Sequence, residues 1–306
     1  MGIGIILSDL FFPLFEYIAP SVPGEIFPWF FNGKSPSLQR ALLASLIVTA
    51  IAGFLGTFLL VRNLAMIGDG LAHVSFGGIV VGIVLGASSP LWYALLASII
   101  ASISIYELQS RQILTGDASI AIFMTGMLAL GLVILKVSGR ALTSDIHSYL
   151  FGSQLLIDSE NLDMIASISI VSFVSLFFIR YGLLAITIDP LSARIQGLPV
   201  RGIGLMFSVI TAIVVVSMVK VVGALLVTAL LVTPAATSQL IGRSFRSCLI
   251  WTQLFGFLSV ITGLYISAEF GAGTGSSIAL VAATIFFTVA ISNEIIKNLK
   301  SKNNTN

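Results

Sequence analysis

Arg40-Ala41-Leu42-Leu43-Ala44-Ser45-Leu46-Ile47-Val48-Thr49-Ala50-Ile51-Ala52-Gly53-Phe54-Leu55-Gly56-Thr57-Phe58-Leu59-Leu60-Val61-Arg62 decides the fold class. Two arginines bracket 21 residues that carry no charge. About 20 apolar residues is what a helix needs to cross the hydrocarbon layer of a bilayer. Such stretches recur from Arg40 almost to the C-terminus, near residues 40–61, 64–86, 90–107, 118–137, 163–181, 202–219, 221–240, 247–268 and 276–296. Each must be helical, because backbone exposed to lipid has to satisfy its own hydrogen bonds, and no alternating barrel pattern is present. The expected fold is all-α, a polytopic transmembrane bundle of about nine helices in a multi-pass cell-membrane protein.

Composition agrees. Of the 306 residues, 57% are hydrophobic and 9% charged, against roughly 25% charged in soluble domains. The mean hydropathy is +1.07. A net charge of +2 offers nothing to nucleic acid. Cys248, the one cysteine, allows neither an intrachain disulfide nor a thiolate cluster, and reads as a small residue near a helix start. No GxxxxGK[ST] loop is present, so any ATPase must be a separate polypeptide.

Three divisions follow. Residues 1–37 are rich in aromatics and proline; Asp9, Pro13 and Glu16 interrupt the apolar run, which suits an interfacial segment better than a span or a cleavable signal. Residues 38–296 form the transmembrane domain and 297–306 a polar cytoplasmic tail. Arg194, Arg201, Arg243, Arg246, Lys297, Lys300 and Lys302 fall on one side of nine spans, which makes that side cytoplasmic. The connection 138–162, with Asp145, Asp158 and Glu160, and the N-terminus then lie outside.

An ionisable residue inside a span costs roughly 2.5–3.5 kcal/mol on insertion scales and is a functional candidate by default. Arg62, Glu107, Lys136, Arg180, Lys220 and Glu269 are placed at segment ends. Asp69 and His73, in Met66-Ile67-Gly68-Asp69-Gly70-Leu71-Ala72-His73, are not. A spacing of four puts a carboxylate and an imidazole on one helix face, a set that suits manganese, zinc or ferrous iron. Two ligands from one helix leave a four-coordinate site open, and a two-fold dimer with this helix at its axis would supply four. The competing reading is a structural ion pair. On the opposite face Gly78, Gly82 and Gly86 predict close helix packing.

Elsewhere, Asp189 as N-cap, Pro190 as first helical residue and Gly197 as terminator predict a short cytoplasmic helix, either a docking element or a plain surface turn. Pro234 should kink its helix, with Thr228, Thr233 and Thr237 packing against freed carbonyls or facing a polar pathway. His147, beside Asp145 in the outer connection, reads as a solvated loop histidine.

Several of these stretches together resemble the membrane subunits of ABC-type manganese/zinc/iron importers, the ABC-3 permease family. Leu38–Leu42, Val61–Asn63 and Met66–His73 resemble that family's first two spans. Tyr149–Ser153 resembles its outer motif; Asp189, Pro190, Ala193, Arg194 and Gly197 resemble its coupling helix. Val222–Val227 through Pro234–Ala236 and Gly271–Ser277 resemble its later runs. Gly70, Ala72 and Val74 depart from the pattern without touching the ligand positions.

The resemblance implies a homodimer in membrane lipid, two cytosolic ABC ATPase subunits, an extracytoplasmic metal-binding protein, and Asp69 and His73 as a metal gate. It implies no permanently bound cofactor and no enzymatic activity of the chain itself; a divalent metal ion would be the substrate. Three rivals are a permease for a metal chelate of siderophore or cobalamin type, an ion-gradient transporter, and an intramembrane metalloenzyme. The second would need further intramembrane acids and inverted repeats; the third would need a third ligand and a base.

Overall fold

A computed structural model of the chain describes residues 2–87, 89–139, 157–224 and 227–304, with side chains described to residue 298. Its helices are α1 (Ile3–Ile18), α2 (Pro36–Val61), α3 (Ile67–Val84), α4 (Leu91–Ser110), α5 (Gly116–Val137), α6 (Ser159–Ile188), α7 (Pro190–Ile195), α8 (Val200–Val222), α9 (Val227–Leu231), α10 (Thr233–Ile241), α11 (Phe245–Phe270) and α12 (Thr274–Asn304). Two 3-10 turns, Ala19–Ser21 and Phe27–Phe30, join α1 to α2. Among the described residues there is no strand.

Nine of these helices are long and apolar enough to cross a membrane: α1 continued to Ser21, α2 to α6, α8, α11 and α12. The set differs from the sequence expectation at two places. Residues 3–18 form a continuous helix despite Pro13. The expected span 221–240 is broken: α8 ends at Gly223, which takes a positive φ of 91°, and the returning chain is split into α9 and α10 at Val232. Pro234 explains the second break, since it has no N–H to give the preceding turn. Toward the C-terminus, α12 runs on through Lys297 to Asn304, so the expected tail is helical.

The most buried helices, α2, α3 and α8, form the centre, and the others wrap them. Phe58 and Phe207 are fully enclosed there, with rings 6.4 Å apart across α2 and α8. Glycines set the closest approaches. A β-carbon on Gly78 would stand 2.7 Å from the Tyr93 carbonyl oxygen, and one on Gly82 would stand 3.0 Å from the Pro90 Cα, so α3 meets α4 backbone to backbone. Gly86 departs from the expected packing stripe. A β-carbon there would meet nothing within 4 Å among the described residues, and with a φ of 72° it ends α3 as a left-handed cap.

The bundle has a basic end. Arg62, Arg111, Arg194 and Arg201 converge there on a cavity of about 600 Å³ that Tyr106, Glu107 and Pro190 also line. Glu107 of α4 accepts from Arg201 Nη2 of α8 at 2.6 Å and from Arg111 Nε at 3.2 Å. By the excess of arginine this end is cytoplasmic. Arg180 sits eight residues before the end of α6, further in than expected. Its guanidinium lies over the Phe177 ring at 3.8 Å and the Tyr181 ring at 4.6 Å, the usual way for a long cation to stay at an interface.

Candidate metal gate

The α2–α3 corner places the two intramembrane ionisable residues. Asn63 takes a positive φ of 55°, and Leu64 N–H donates to Leu59 O at 2.8 Å, closing α2. Four residues later α3 begins with Met66 as N-cap, so Asp69 lies in its first turn, where a carboxylate is favoured by the helix dipole. His73 follows one turn on. Between Ile67 and Val80, Asp69 and His73 are the only two residues that are not buried. The side chains are 24% and 13% exposed respectively. The face of α3 that opens is therefore the one bearing the ligand-type groups.

Neighbours give the depth. Ser98 Oγ donates to Leu71 O at 3.4 Å, and Ser98 is midway along α4. Leu71 lies between Asp69 and His73, so the pair is level with the middle of a span. Gly68 abuts Leu231 and Val227 of α9, and Gly70 abuts Ile120 of α5. The pair thus opens between α5 and the broken helix α9–α10.

His73 Nε2 stands 3.7 Å from Asp69 Oδ1. That is beyond hydrogen-bond length and close to the edge of a tetrahedral coordination shell, about 3.4 Å for ligand bonds near 2.1 Å. Among the described residues His73 Nδ1 is buried without a partner. The two side chains stand at ion-pair distance with no direct hydrogen bond between them, a geometry that fits a structural ion pair as well as a shared ion. Among the described residues no three His, Cys, Asp or Glu side chains converge.

The other expected residues separate into two groups. Asp189 caps α7: its carboxylate accepts from Leu191 N–H at 2.9 Å and Ser192 N–H at 3.1 Å, and bonds the Ser192 hydroxyl. Those bonds, the hydroxyl's first, hold its carboxyl below the ordinary value. Pro190 opens the helix, Ala193 is buried against the bundle, and Gly197 closes it with a φ of 82°. Arg194 stays exposed beside the basic cavity. Thr237 is buried and donates to Thr233 O, which is packing; Thr228 and Thr233 are half-open. His147 and the run Tyr149–Ser153 lie outside the described residues.

Sequence reasoning passed over Arg62 and Gln109. Arg62 Nη1 and Gln109 Nε2 are buried without partners at the basic end, and burial lowers the Arg62 guanidinium from its ordinary value. Gln109 gave no signal because a glutamine at a helix end is ordinary.

A model of the ABC 3 transport family matches residues 34–293. The manganese transport system membrane protein MntC of Halalkalibacterium halodurans is 31% identical over 249 residues, covering 81% of this chain and 85% of that one. The high-affinity zinc uptake system membrane protein ZnuB of Haemophilus influenzae is 30% identical over 249 residues, covering 81% and 95%. Among solved structures, PsaBC from Streptococcus pneumoniae in complex with Fab superposes with a TM-score of 0.74 at 28% identity, covering 84% of this chain and 91% of that one. With that match over most of its length and a helical bundle to go with it, the chain belongs to the ABC 3 transport family.

Proposed function

We propose that this chain is the membrane subunit of an ATP-driven importer that carries a divalent transition metal ion into the cytoplasm. The observation that carries the reading is the Asp69–His73 pair: two ligand-type groups one turn apart, partly open on a stretch of α3 that is otherwise buried from Ile67 to Val80. The relatives' names point to manganese in one case and zinc in the other. Carboxylate with imidazole accommodates either, and ferrous iron too.

Two copies with α3 at their axis would bring two Asp69 and two His73 around one ion. A separate cytosolic ATPase would bear on α7, through Asp189, Pro190, Ala193, Arg194 and Gly197. The basic cavity beside α7 supports this, since Arg62, Arg111, Arg194 and Arg201 offer an acidic partner surface its complement. An extracytoplasmic metal-binding protein would hand the ion to the opposite end. Motion of the ATPases, passed through α7, would slide the protomers, break the four-ligand shell and release the ion inward.

The test is metal-dependent growth and uptake in a host stripped of its own importers, supplied with this chain and its genomic neighbours. Uptake of manganese or zinc that disappears in Asp69→Ala and His73→Ala supports the reading. Normal uptake in both variants overturns it and returns the pair to a structural role.

A further inference from the structure

We propose that α1 is an outer-leaflet anchor: a helix that enters the bilayer from outside, never crosses it, and holds the outer ends of three spans against lipid. By length and apolarity α1 qualifies as a span. Its contacts forbid it. Near its start, Ile5 N–H donates to Asp163 Oδ1 at 2.9 Å, in the second turn of α6. Near its finish, the Phe15 ring meets Phe31 edge-on at 5.8 Å, and Glu16 lies against Gly33, just ahead of α2. Both contacts are at the ends of α6 and α2 remote from the basic end. Eleven residues of helix separate Ile5 from Glu16, about 16 Å at 1.5 Å per residue. That is half of a hydrocarbon layer about 30 Å thick.

The helix has three faces. Gly4, Ser8 and Phe15 are buried against the bundle, and the one polar group there is satisfied, Ser8 Oγ donating to Gly4 O at 2.8 Å. Ile3, Ile6, Leu10, Leu14 and Tyr17 follow one another at spacings of three and four and are exposed, Leu10 by 67%. Asp9 and Glu16, also exposed, share the remaining edge. An apolar stripe beside an acidic edge suits a helix at a water–lipid boundary, with the stripe in lipid. Exposed Trp29 extends the aromatic character toward the headgroups. The connection that follows is tied down by Glu269 at the end of α11, whose Oε1 accepts from Ile26 N–H and Phe27 N–H, both at 2.9 Å. One strap therefore joins the outer ends of α6, α2 and α11. Residues 1–33 precede the stretch that the family model matches.

The test is site-directed spin labelling of the full chain in vesicles of phosphatidylethanolamine and phosphatidylglycerol. Cys248→Ser supplies the background, and Ile6→Cys, Asp9→Cys, Leu10→Cys, Leu14→Cys and Glu16→Cys carry the labels. Labels at 6, 10 and 14 should favour oxygen over a nickel chelate at least about threefold, and those at 9 and 16 the reverse. All depths should stay within the outer leaflet. In intact cells an impermeant maleimide should reach Asp9→Cys from outside. Depths that run through the bilayer centre, with position 9 protected, would make α1 a span and overturn the proposal. Nickel-favouring labels along the stripe, or labels shielded from both agents by a protein, would overturn it equally.

Discussion

Gly56 of α2 faces the carbonyl oxygen of Leu231 so closely that a β-carbon at 56 would stand 1.9 Å from it. Leu231 is the last residue of α9, and its side chain also reaches Gly68, one position before Asp69. The break in the returning helix is therefore seated between two glycines. One of them, Gly68, immediately precedes Asp69.

Gly56→Ala should destabilise the chain by about 1–3 kcal/mol, because the obstacle is backbone and cannot swing aside. Gly202→Ala is the matched control: its β-carbon would meet only Pro199 Cβ at 3.7 Å, an ordinary contact. Thermal unfolding in detergent should show a lower midpoint for the first and an unchanged or slightly higher one for the second. Equal midpoints would mean that α9 is not held where the structure has it.

Asp69→Asn keeps the shape of the carboxylate and removes its charge; His73→Gln removes the imidazole nitrogen. Each should weaken binding of manganese or zinc by the assembled transporter at least about tenfold, or about 1.4 kcal/mol. Tracer-metal binding to the assembly in detergent measures this directly, and helix content by circular dichroism should not change.

Metal binding should also weaken as the medium is acidified, because a protonated imidazole cannot ligate. The capping carboxylate of Asp189 cannot account for such a decline. Its folded value is depressed, so its stabilisation of α7 is complete above the unfolded value of 3.8 and is lost only as pH falls below that. A binding curve flat from pH 7 to 5 would count against His73 as a ligand.

Asp189→Ala removes the acceptor of two backbone N–H groups and the Ser192 hydroxyl. Uptake should fall several-fold while metal binding at Asp69 and His73 holds, the signature of lost coupling to the ATPase. Asp189→Asn, which can still cap a helix, should restore most of the uptake. If the alanine variant transports normally, α7 is a surface turn and the ATPase bears elsewhere.

Much of this architecture could be read from residue order. The charge-free runs gave most of the spans, since apolarity over 20 residues is a local property. Asp189, Pro190 and Gly197 gave α7, since caps act within a turn. The shared face of Asp69 and His73 needed only helical geometry. What escaped depends on distant partners. The depth of the pair rests on Ser98, 27 residues from Leu71. Gly86 looked like a member of a packing stripe, and only its φ of 72° shows it to be a cap. Pro234 announced a kink, but the separation of α9 from α10 depends on the glycine seats at 56 and 68 that receive Leu231.

The glycines of α3 also bear on how the chain is made. Gly68, Gly70, Gly77, Gly78 and Gly82 occupy five of its 18 positions, and each costs a helix roughly 1 kcal/mol relative to alanine. Alone behind the ribosome, with Asp69 and His73 uncovered, α3 is a poor candidate for independent insertion. It becomes a good helix only when α4 and α5 arrive to fill its glycine faces. The segment bearing Asp69 and His73 is thus packed by segments translated after it, and a chain interrupted before Val137 would carry both residues without the full α5 face that Gly70 and Gly77 meet.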